Sequence, residues 1–512
     1  MKKHFPYGLT LLAFAWLITA CLEEKEISLP FSFNEPRPGQ TIWNNTEIVF
    51  SVPSEFKGSI DVQSNGQSIA IATSAPYQIT WNTNSLPDGD YKLLAVATSH
   101  AGEKTECTVD VIIRNTLLTL DVPDQHIVPG MQSFIFLSDN DGYTIAKEEL
   151  KNGEHVELKS EEFNGSTFTV NEVYLRYPCG LQVFSVTEMK RGVWTLNKAE
   201  QYPAFVGSIE VKSETTPLST YYLSASGDSD FIDEQNDAII LATTQSSTKL
   251  FVRDVGHAIN RYTIQNNVNI GALLNFPFSE VTKPLKTLST SLSDPDLIGA
   301  RVRLFGFPNV ENFNEYYPLG VFFLKDKEIK IEYPEEFMEI GSESYYRNKR
   351  VRLYSFHPRN KFDFKTLNAQ IYISTKDEQT VDLATFGEFD IYMSSWYYFN
   401  EQTNSSASWV MIGPSGRSQK LSVPDLPYEI NERVPNIKAN QLMYAGAIQV
   451  SDYAAINGYT EYLQFISGNG IDGPYKFGRA WKEQIFTESG HTPGRSRSRE
   501  VPMLVEMLKI VD

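Results

Sequence analysis

The feature that most narrows the fold is a rhythm. From about Phe31 onward, short runs of Val, Ile, Phe, Tyr and Thr recur, each closed by Gly, Pro, Asn or Asp. β-branched and aromatic side chains suit a pleated, half-buried surface, and the closing residues supply the backbone angles of tight turns. Glu47 to Val52, Gly58 to Val62 and Cys107 to Ile113 are such runs. Asn65-Gly66 offers the positive φ angles of a two-residue hairpin, and Pro87-Asp88-Gly89 fits a turn whose first corner proline fixes. In Ala300 to Phe305 and again in Arg350 to Tyr354, arginine occupies every second place, which gives each strand one wet and one dry face. Repeated over hundreds of residues, this pattern predicts an all-β chain.

The first residues follow a different rule. Lys2 and Lys3, an apolar run from Leu9 to Ile18, and then Ile18-Thr19-Ala20-Cys21 match a secretory signal, too short for a membrane span. The tetrapeptide resembles the lipobox of bacterial lipoproteins. The resemblance implies cleavage before Cys21 and lipidation of its thiol, so that 1–20 is a signal peptide and 21–30 an acidic tether. An acyl chain contributes about 0.8 kcal/mol per buried methylene, and stable anchoring takes more than one chain. The run Leu22-Glu23-Glu24-Lys25-Glu26 resembles the export signal of Bacteroidota surface lipoproteins. It implies a protein lipid-anchored in the outer membrane and exposed on the cell surface, with that bilayer as a partner through Cys21. The plain alternative is a solvated, charged tether.

Pro76, Tyr77, Trp81, Leu86, Pro87, Asp88, Gly89 and Tyr91 form a pattern that resembles the second half of bacterial Ig-like domains. The resemblance covers 31–115 and implies a β-sandwich that acts as a spacer or adhesive module. Asn82, His100 and Glu103 depart from the family pattern, so no calcium site is carried over from it. A second sandwich is expected over 116–204, where Ser133 to Ser138 runs into the turn Asp139-Asn140-Asp141-Gly142 and Trp194 lies in an alternating, core-like run. Strand signals continue through 205–424, enough for one large sandwich or two smaller ones. Pro424, Pro427 and Pro435 mark off a last β-rich segment, 425–512, in which Leu442 to Ile448 and Tyr459 to Ile466 both read as strands. Tandem Ig-like β-sandwich domains followed by a larger β-rich C-terminal region are therefore the expected architecture.

Charge excludes some functions. With 45 Lys and Arg against 63 Asp and Glu, the chain carries a net charge of −18, which repels nucleic acid. Of three cysteines, Cys21 is assigned to the lipid, and Cys107 and Cys179 fall in separate domains, which predicts free thiols. Gly468-Asn469-Gly470-Ile471-Asp472-Gly473 has dinucleotide-loop spacing but is followed by Pro474, so it reads as a glycine turn. No nucleophile elbow or zinc-binding HExxH helix occurs.

Two constellations remain. Asp228, Asp230, Asp233, Glu234 and Asp237 gather hard oxygen ligands suited to calcium, the one cofactor implied, or form a water-facing acidic turn. Trp396, Tyr397 and Tyr398, with Phe399, Gln402, Asn404 and Trp409, combine aromatic faces and amides, as a sugar platform does. A strand covered on both sides yields the same run of aromatics. The leading functional expectation is binding or adhesion, with a glycan or protein ligand and no catalysis. Its rivals are a glycoside hydrolase using carboxylates on separate strands, and an accessory subunit of an outer-membrane complex.

Overall fold

A computed structural model describes residues 31–487 apart from 177–178, 197–204, 218, 257–259, 310–314, 359–360, 376, 378, 438, 472 and 476–479. Cys21, the acidic tether and the last part of the 425–512 segment, from residue 488 on, lie outside the described residues. The chain is all-β and divides into two compact units, 1–116 with 161–164, and 117–160 with 165–512.

The first unit is an Ig-like sandwich. Ser32–Glu35, Asn45–Ser51 and Gln78–Asn82 form one sheet, and the other runs Gln40–Ile42, Lys104–Ile113, Gly89–Ser99, Gly58–Ser64, Gln67–Ala72. Gln40–Ile42 pairs with Lys104–Ile113 in parallel and so ties the start of the module to its end. Asn65 and Gly66 adopt φ of 51° and 78°, the hairpin geometry their sequence predicts. Trp81 is buried at the centre with Ile48, Ile60, Leu93 and Val111. The turn motif is explained by Asn115. Its backbone N–H donates to Asp88 Oδ1 at 2.7 Å, and its buried amide donates to the carbonyls of Thr83 at 2.6 Å and Leu86 at 3.1 Å.

Among the described residues the second unit holds four further sandwiches, three of which share one sheet. Its twelve strands are β1 (Gln132–Ser138), β2 (Thr144–Glu149), β3 (Phe168–Arg176), β4 (Gly180–Met189), β5 (Leu297–Phe307), β6 (Tyr317–Phe323), β7 (Glu339–Asn348), β8 (Val351–His357), β9 (Ile391–Asn400), β10 (Ser405–Pro414), β11 (Met443–Tyr453) and β12 (Trp481–Thr487). Their order across the sheet is β2-β1-β3-β4-β10-β9-β11-β12-β8-β7-β5-β6. Each successive four belongs to a different sandwich. β1–β4 face Thr116–Asp121, His155–Lys159 and Gly192–Thr195, β9–β12 belong with Ala369–Thr375, Thr380–Gly387 and Ser418–Ser422, and β5–β8 belong with Lys286–Ser291 and Glu328–Tyr333.

Two seams join these groups. β4 pairs with β10 in parallel from Gly180↔Ser406 to Val186↔Ile412, and β12 pairs antiparallel with β8 from Val351↔Phe486 to Phe356↔Trp481. The remaining sandwich, over 207–284, repeats the strand order of the one before it. In both, the last strand of the smaller sheet lies parallel to the first, Gly192–Thr195 on Thr116–Asp121 and Leu273–Phe276 on Gly207–Ser213.

Three expectations need correction. The range 205–424 holds two complete sandwiches and most of a third, because the boundary at 424/425 does not exist. The prolines mark a crossover from Ser418–Ser422 to β11, and its Leu426, Ile430, Val434, Ile437 and Leu442 are buried in the core. The range 116–204 is likewise no free-standing sandwich, since β4 continues into β10. Tyr459 to Ile466 is helix. Helix α1 (Tyr428–Arg433) sits in the crossover, and α2 (Gly458–Asn469) takes up the aromatic run. Tyr459, Tyr462 and Ile466 recur at helical spacing, and the Tyr462 ring stacks between Tyr453 and Tyr459 at 5.9 Å and 6.1 Å. Gly470, at φ 78°, caps that helix, so the glycine turn is a helix end.

The segment after β8 straps the dry face of β5–β8. Ser342 Oγ donates to Lys361 O at 2.6 Å, Ser355 Oγ to Asp363 O at 3.0 Å, and the Leu367 N–H to Gln484 Oε1 at 2.9 Å. Beneath it His357 Nε2 lies 4.0 Å from Asp363 Oδ2 without a hydrogen bond. Burial pushes the His357 pKa down, beyond what Asp363 restores. A depressed histidine pKa stabilises the fold above the unfolded value of about 6.5, and that contribution is lost as pH falls through the folded value. The melting temperature is therefore expected to fall between pH 7.5 and 5.5, and His357→Gln to flatten that part of the slope.

Candidate functional site

The two faces of the twelve-stranded sheet are covered unequally. One face is closed by the smaller sheets that belong with β5–β8 and β9–β12, together with the α1 crossover, which buries Phe134, Phe136, Val173 and Val183. On the other, β1–β4 are covered by their own partner sheet, which buries Trp194, and β9–β12 by α2 through the Tyr453–Tyr462 stack. Over β5–β8 this second face is divided: Arg301 and Arg303 point outward, while Phe305, Phe307 and Phe356 on the same face are buried.

Register brings the side chains together. Phe323, Arg301, Tyr345 and Tyr354 are successive Cα partners across β6, β5, β7 and β8. At about 4.8 Å per strand, they form a transverse row about 14 Å long. The Arg301 guanidinium lies 5.3 Å from the centroid of the Tyr345 ring, and Tyr345 lies 4.8 Å from Tyr354 at 59°. Phe323, at the sheet edge, is 67% exposed. In the next row Arg347 and Arg352 stand directly opposite one another, both partly exposed. Gly299, the partner of Arg347 on β5, leaves a recess, for a Cβ there would meet nothing within 4 Å. On the other side Arg303 faces Glu343. Among the described residues no carboxylate lies within 4.0 Å of the guanidinium of Arg301, Arg303 or Arg347.

The hairpin that carries Arg347 and Arg352 is held from below. Asn348 Oδ1 accepts the N–H groups of Arg350 at 2.9 Å and Val351 at 2.8 Å, while its amide donates to Asp294 Oδ2 at 2.8 Å. Hydrogen bonds from Asn348 and Tyr346 hold the Asp294 carboxyl below its ordinary pKa, and burial with the Asp294 bond pushes the Tyr346 hydroxyl up to about 12. The site therefore combines a clamped turn, two tyrosine rings and four guanidinium groups with Glu343 opposite Arg303 and Glu483 opposite Tyr354.

The aromatic run around Trp396 forms no platform. Trp396 and Trp409 are cross-strand partners with 0% exposure, packed in the core with Phe136 and Tyr444. Their indole N–H groups are used internally, Trp396 donating to Gln379 O at 3.1 Å and Trp409 to Ser185 Oγ at 2.7 Å. Tyr398 shares their face and donates to Asn436 O at 3.3 Å, whereas Tyr397 projects from the opposite face and burial raises its pKa. A strand covered on both sides explains the run.

The acidic residues near Asp228 do not converge either. Asp228 accepts from the N–H groups of Ser229 and Ala242 at 2.8 Å each, Asp230 from Phe231 at 2.8 Å, and Asp233 from Gln235 and Asn236 at 2.9 Å each. Asp237 is exposed on the far side of that turn. Among the described residues no three His, Cys, Asp or Glu side chains are disposed around a metal position. Carboxylates bonded in this way to backbone N–H groups build a hairpin. Cys107 and Cys179 are free and half-buried, and burial raises the Cys107 thiol to about 11. Alternation in the sequence marks Arg301, Arg303 and Arg352 as outward, but only the strand register places Tyr345, Arg347 and Phe323 beside them.

Residues 31–95 match the family described as Bacterial Ig domain. The chain is similar to Clostridium thermocellum CbhA fibronectin(III)-like modules, at 22% identity over 16% of this chain and 93% of that one, with a TM-score of 0.15. It is also similar to the SGBP-B protein of the Bacteroides ovatus mixed-linkage glucan utilization locus, solved with a mixed-linkage heptasaccharide, at 12% identity over 62% and 92% of the two chains and a TM-score of 0.15. A third similarity is to the N-terminal four Ig domains of Dscam1, at 9% identity over 65% and 98% with a TM-score of 0.13. No curated protein matches the chain. TM-scores this low carry no functional argument, so the family match and the strand order bear the assignment: the chain contains a bacterial Ig domain at residues 31–95, and the sandwiches that follow are Ig-like in build.

Proposed function

We propose that this is a lipoprotein of the outer membrane, anchored through Cys21 and facing outward, whose first Ig-like domain is a spacer and whose fused sandwiches present a glycan-binding face. The observation that carries the binding role is the row Phe323, Arg301, Tyr345 and Tyr354 on β5–β8, exposed at Phe323 and Arg301 and half-buried at the two tyrosines. Rings and guanidinium groups on a rigid sheet supply apolar stacking and hydrogen-bond donors without a deep pocket, which suits an extended ligand. The lipobox-like tetrapeptide and the acidic run behind it support the location.

Two measurements test the reading. In cells producing the full chain, the protein is expected in the outer-membrane fraction and open to added protease, and Cys21→Ser is expected to move it to the soluble fraction. Retention of Cys21→Ser in the membrane would overturn the anchor. Retardation of the soluble chain in gels containing polysaccharide is expected to weaken on Tyr345→Ala, and no retardation by any polysaccharide in a broad panel would overturn the glycan role.

A further inference from the structure

The sheet of Ala369–Thr375, Thr380–Gly387 and Ser418–Ser422 turns Val381, Leu383 and Leu421 into the core, so strand alternation sends Tyr372, Ala384, Phe386 and Ser418 to its outer face. Register centres that face on Ala384. Tyr372 and Ser418 are its Cα partners on either side, and Phe386 lies two residues along the same strand, opposite Gln370. A side chain of one carbon among larger ones leaves a shallow pit. Tyr372 is 62% exposed and Phe386 47%, and their rings stand 6.0 Å apart at 78°, so they meet as a corner beside that pit. Gly387, at φ 118°, lets the chain close on Asn368 O just past Phe386, where the Glu388 N–H donates to the same carbonyl at 2.9 Å and holds that end of the face. Single exposed aromatics are ordinary on a surface, whereas a contiguous apolar group with a polar rim marks a contact site. The rim here carries no net charge. The Tyr372 hydroxyl, the Gln370 amide and the Ser418 hydroxyl are exposed and make no hydrogen bond among the described residues, and beyond Ala384 the oppositely charged Asp382 and Lys420 are Cα partners.

We infer that this pit is a second glycan site, separate from the row on β5–β8, and that it takes one sugar residue of a neutral polysaccharide against Tyr372 and Phe386. It goes beyond the reading above, because it uses a different sheet and does not require the row on β5–β8 to bind. Two rings set at an angle offer apolar surface to the C–H groups of a pyranose. An amide and two hydroxyls beside them both donate and accept, as sugar hydroxyls do. A uronate or sulfate group would find the Lys420 cation only next to the Asp382 carboxylate, which sets the charge class as neutral. The pit is one side chain wide, far short of the area a stable protein–protein interface buries, and this favours a saccharide over a protein partner.

The test uses the soluble full-length Cys21→Ser chain with Tyr345→Ala added, which removes a ring from the row on β5–β8. It is run in native gels containing hydroxyethyl cellulose, xyloglucan, galactomannan or polygalacturonate. At least one of the three neutral polysaccharides is expected to retard it. Two further variants address the pit: Tyr372→Ala/Phe386→Ala removes the rings, and Ala384→Arg fills the space while both rings stay. Each is expected to weaken retardation by about tenfold, the loss of ring stacking. Added salt should leave the retardation unchanged, since no ion pair carries it. Both variants should melt close to the parent, because all three positions lie outside the core. Retardation unchanged in either pit variant would overturn this location. Retardation by polygalacturonate alone would overturn the neutral class. No retardation of the Tyr345→Ala chain by any polysaccharide would overturn the second site, and would leave the row on β5–β8 standing where the Cys21→Ser chain itself is retarded. Self-association of the soluble chain that Ala384→Arg abolishes would overturn the saccharide in favour of a contact between copies.

Discussion

Glu332→Ala is expected to lower the unfolding free energy by about 3–5 kcal/mol, the usual cost of removing one partner from a buried ion pair. Glu332 and Arg253 are 5% and 7% exposed and meet at 2.6 Å, with Asn260 also bound to the carboxylate and Lys330 3.0 Å from it. Arg253 belongs to the sandwich over 207–284 and Glu332 to the next one, whose shared core includes Tyr222, Phe251 and Tyr262 from the first and Val302, Leu319 and Ile331 from the second. Burial pushes the Arg253 pKa down, against the upward pull of Glu332. The guanidinium also packs 4.9 Å from the Phe322 ring, so it stays away from water once the carboxylate is gone. Chemical denaturation monitored by circular dichroism measures the loss. The double variant Arg253→Met/Glu332→Leu is expected to regain most of it, since an apolar pair of similar volume carries no desolvation cost. A single variant as stable as the parent would show that the pair is not sealed from water.

Trp409→Ala should cost a similar amount, about 3–5 kcal/mol, through lost burial and the cavity left behind. This indole spans the parallel seam. Trp409 on β10 donates to Ser185 on β4, Ser185 donates to Asn171 Oδ1 at 2.5 Å, and Asn171 donates to Phe136 O at 3.2 Å. Trp409→Phe keeps much of the volume but strands Ser185, for a smaller loss of about 1–3 kcal/mol. A partly exposed residue away from the core alters stability by about 0.5 kcal/mol or less, so Tyr345→Ala should lose ligand and keep its fold, while Trp409→Ala should do the reverse.

Local pattern was legible in the sequence where neighbours in the chain decide it. The strands Ala238–Thr243 and Glu328–Tyr333, the Asn65-Gly66 hairpin and the burial of Trp194 follow from period, turn chemistry and apolar alternation. What escaped depends on partners far away in the chain. Nothing local to Gly180–Met189 announces that it will pair with Ser405–Pro414, and that pairing decides that Trp396 and Trp409 are enclosed. Aromatics at 396–399 look alike whether a sheet is covered or bare. Tyr459 to Ile466 misled for a related reason, since eight residues rich in aromatics satisfy strand propensity as well as helical period. The candidate site was half visible, because alternation marks Arg301, Arg303 and Arg352 as outward, but only the register sets Arg347 against Arg352.

The order of the large sheet differs from the order of synthesis. Strands β1–β4 and β5–β8 are made long before β9–β12, yet the late group lies between the two early ones and covers an edge of each. Until roughly the last hundred residues of the sheet have been made, β4 and β8 present open rows of backbone donors and acceptors, the template on which strands of other molecules aggregate. A chain cut short before Ala369 would carry both edges bare, so it should self-associate although each early sandwich has its own core. Such a protein has reason to depend on holding chaperones while it folds, and premature termination should be more harmful to it than to a string of separate Ig modules.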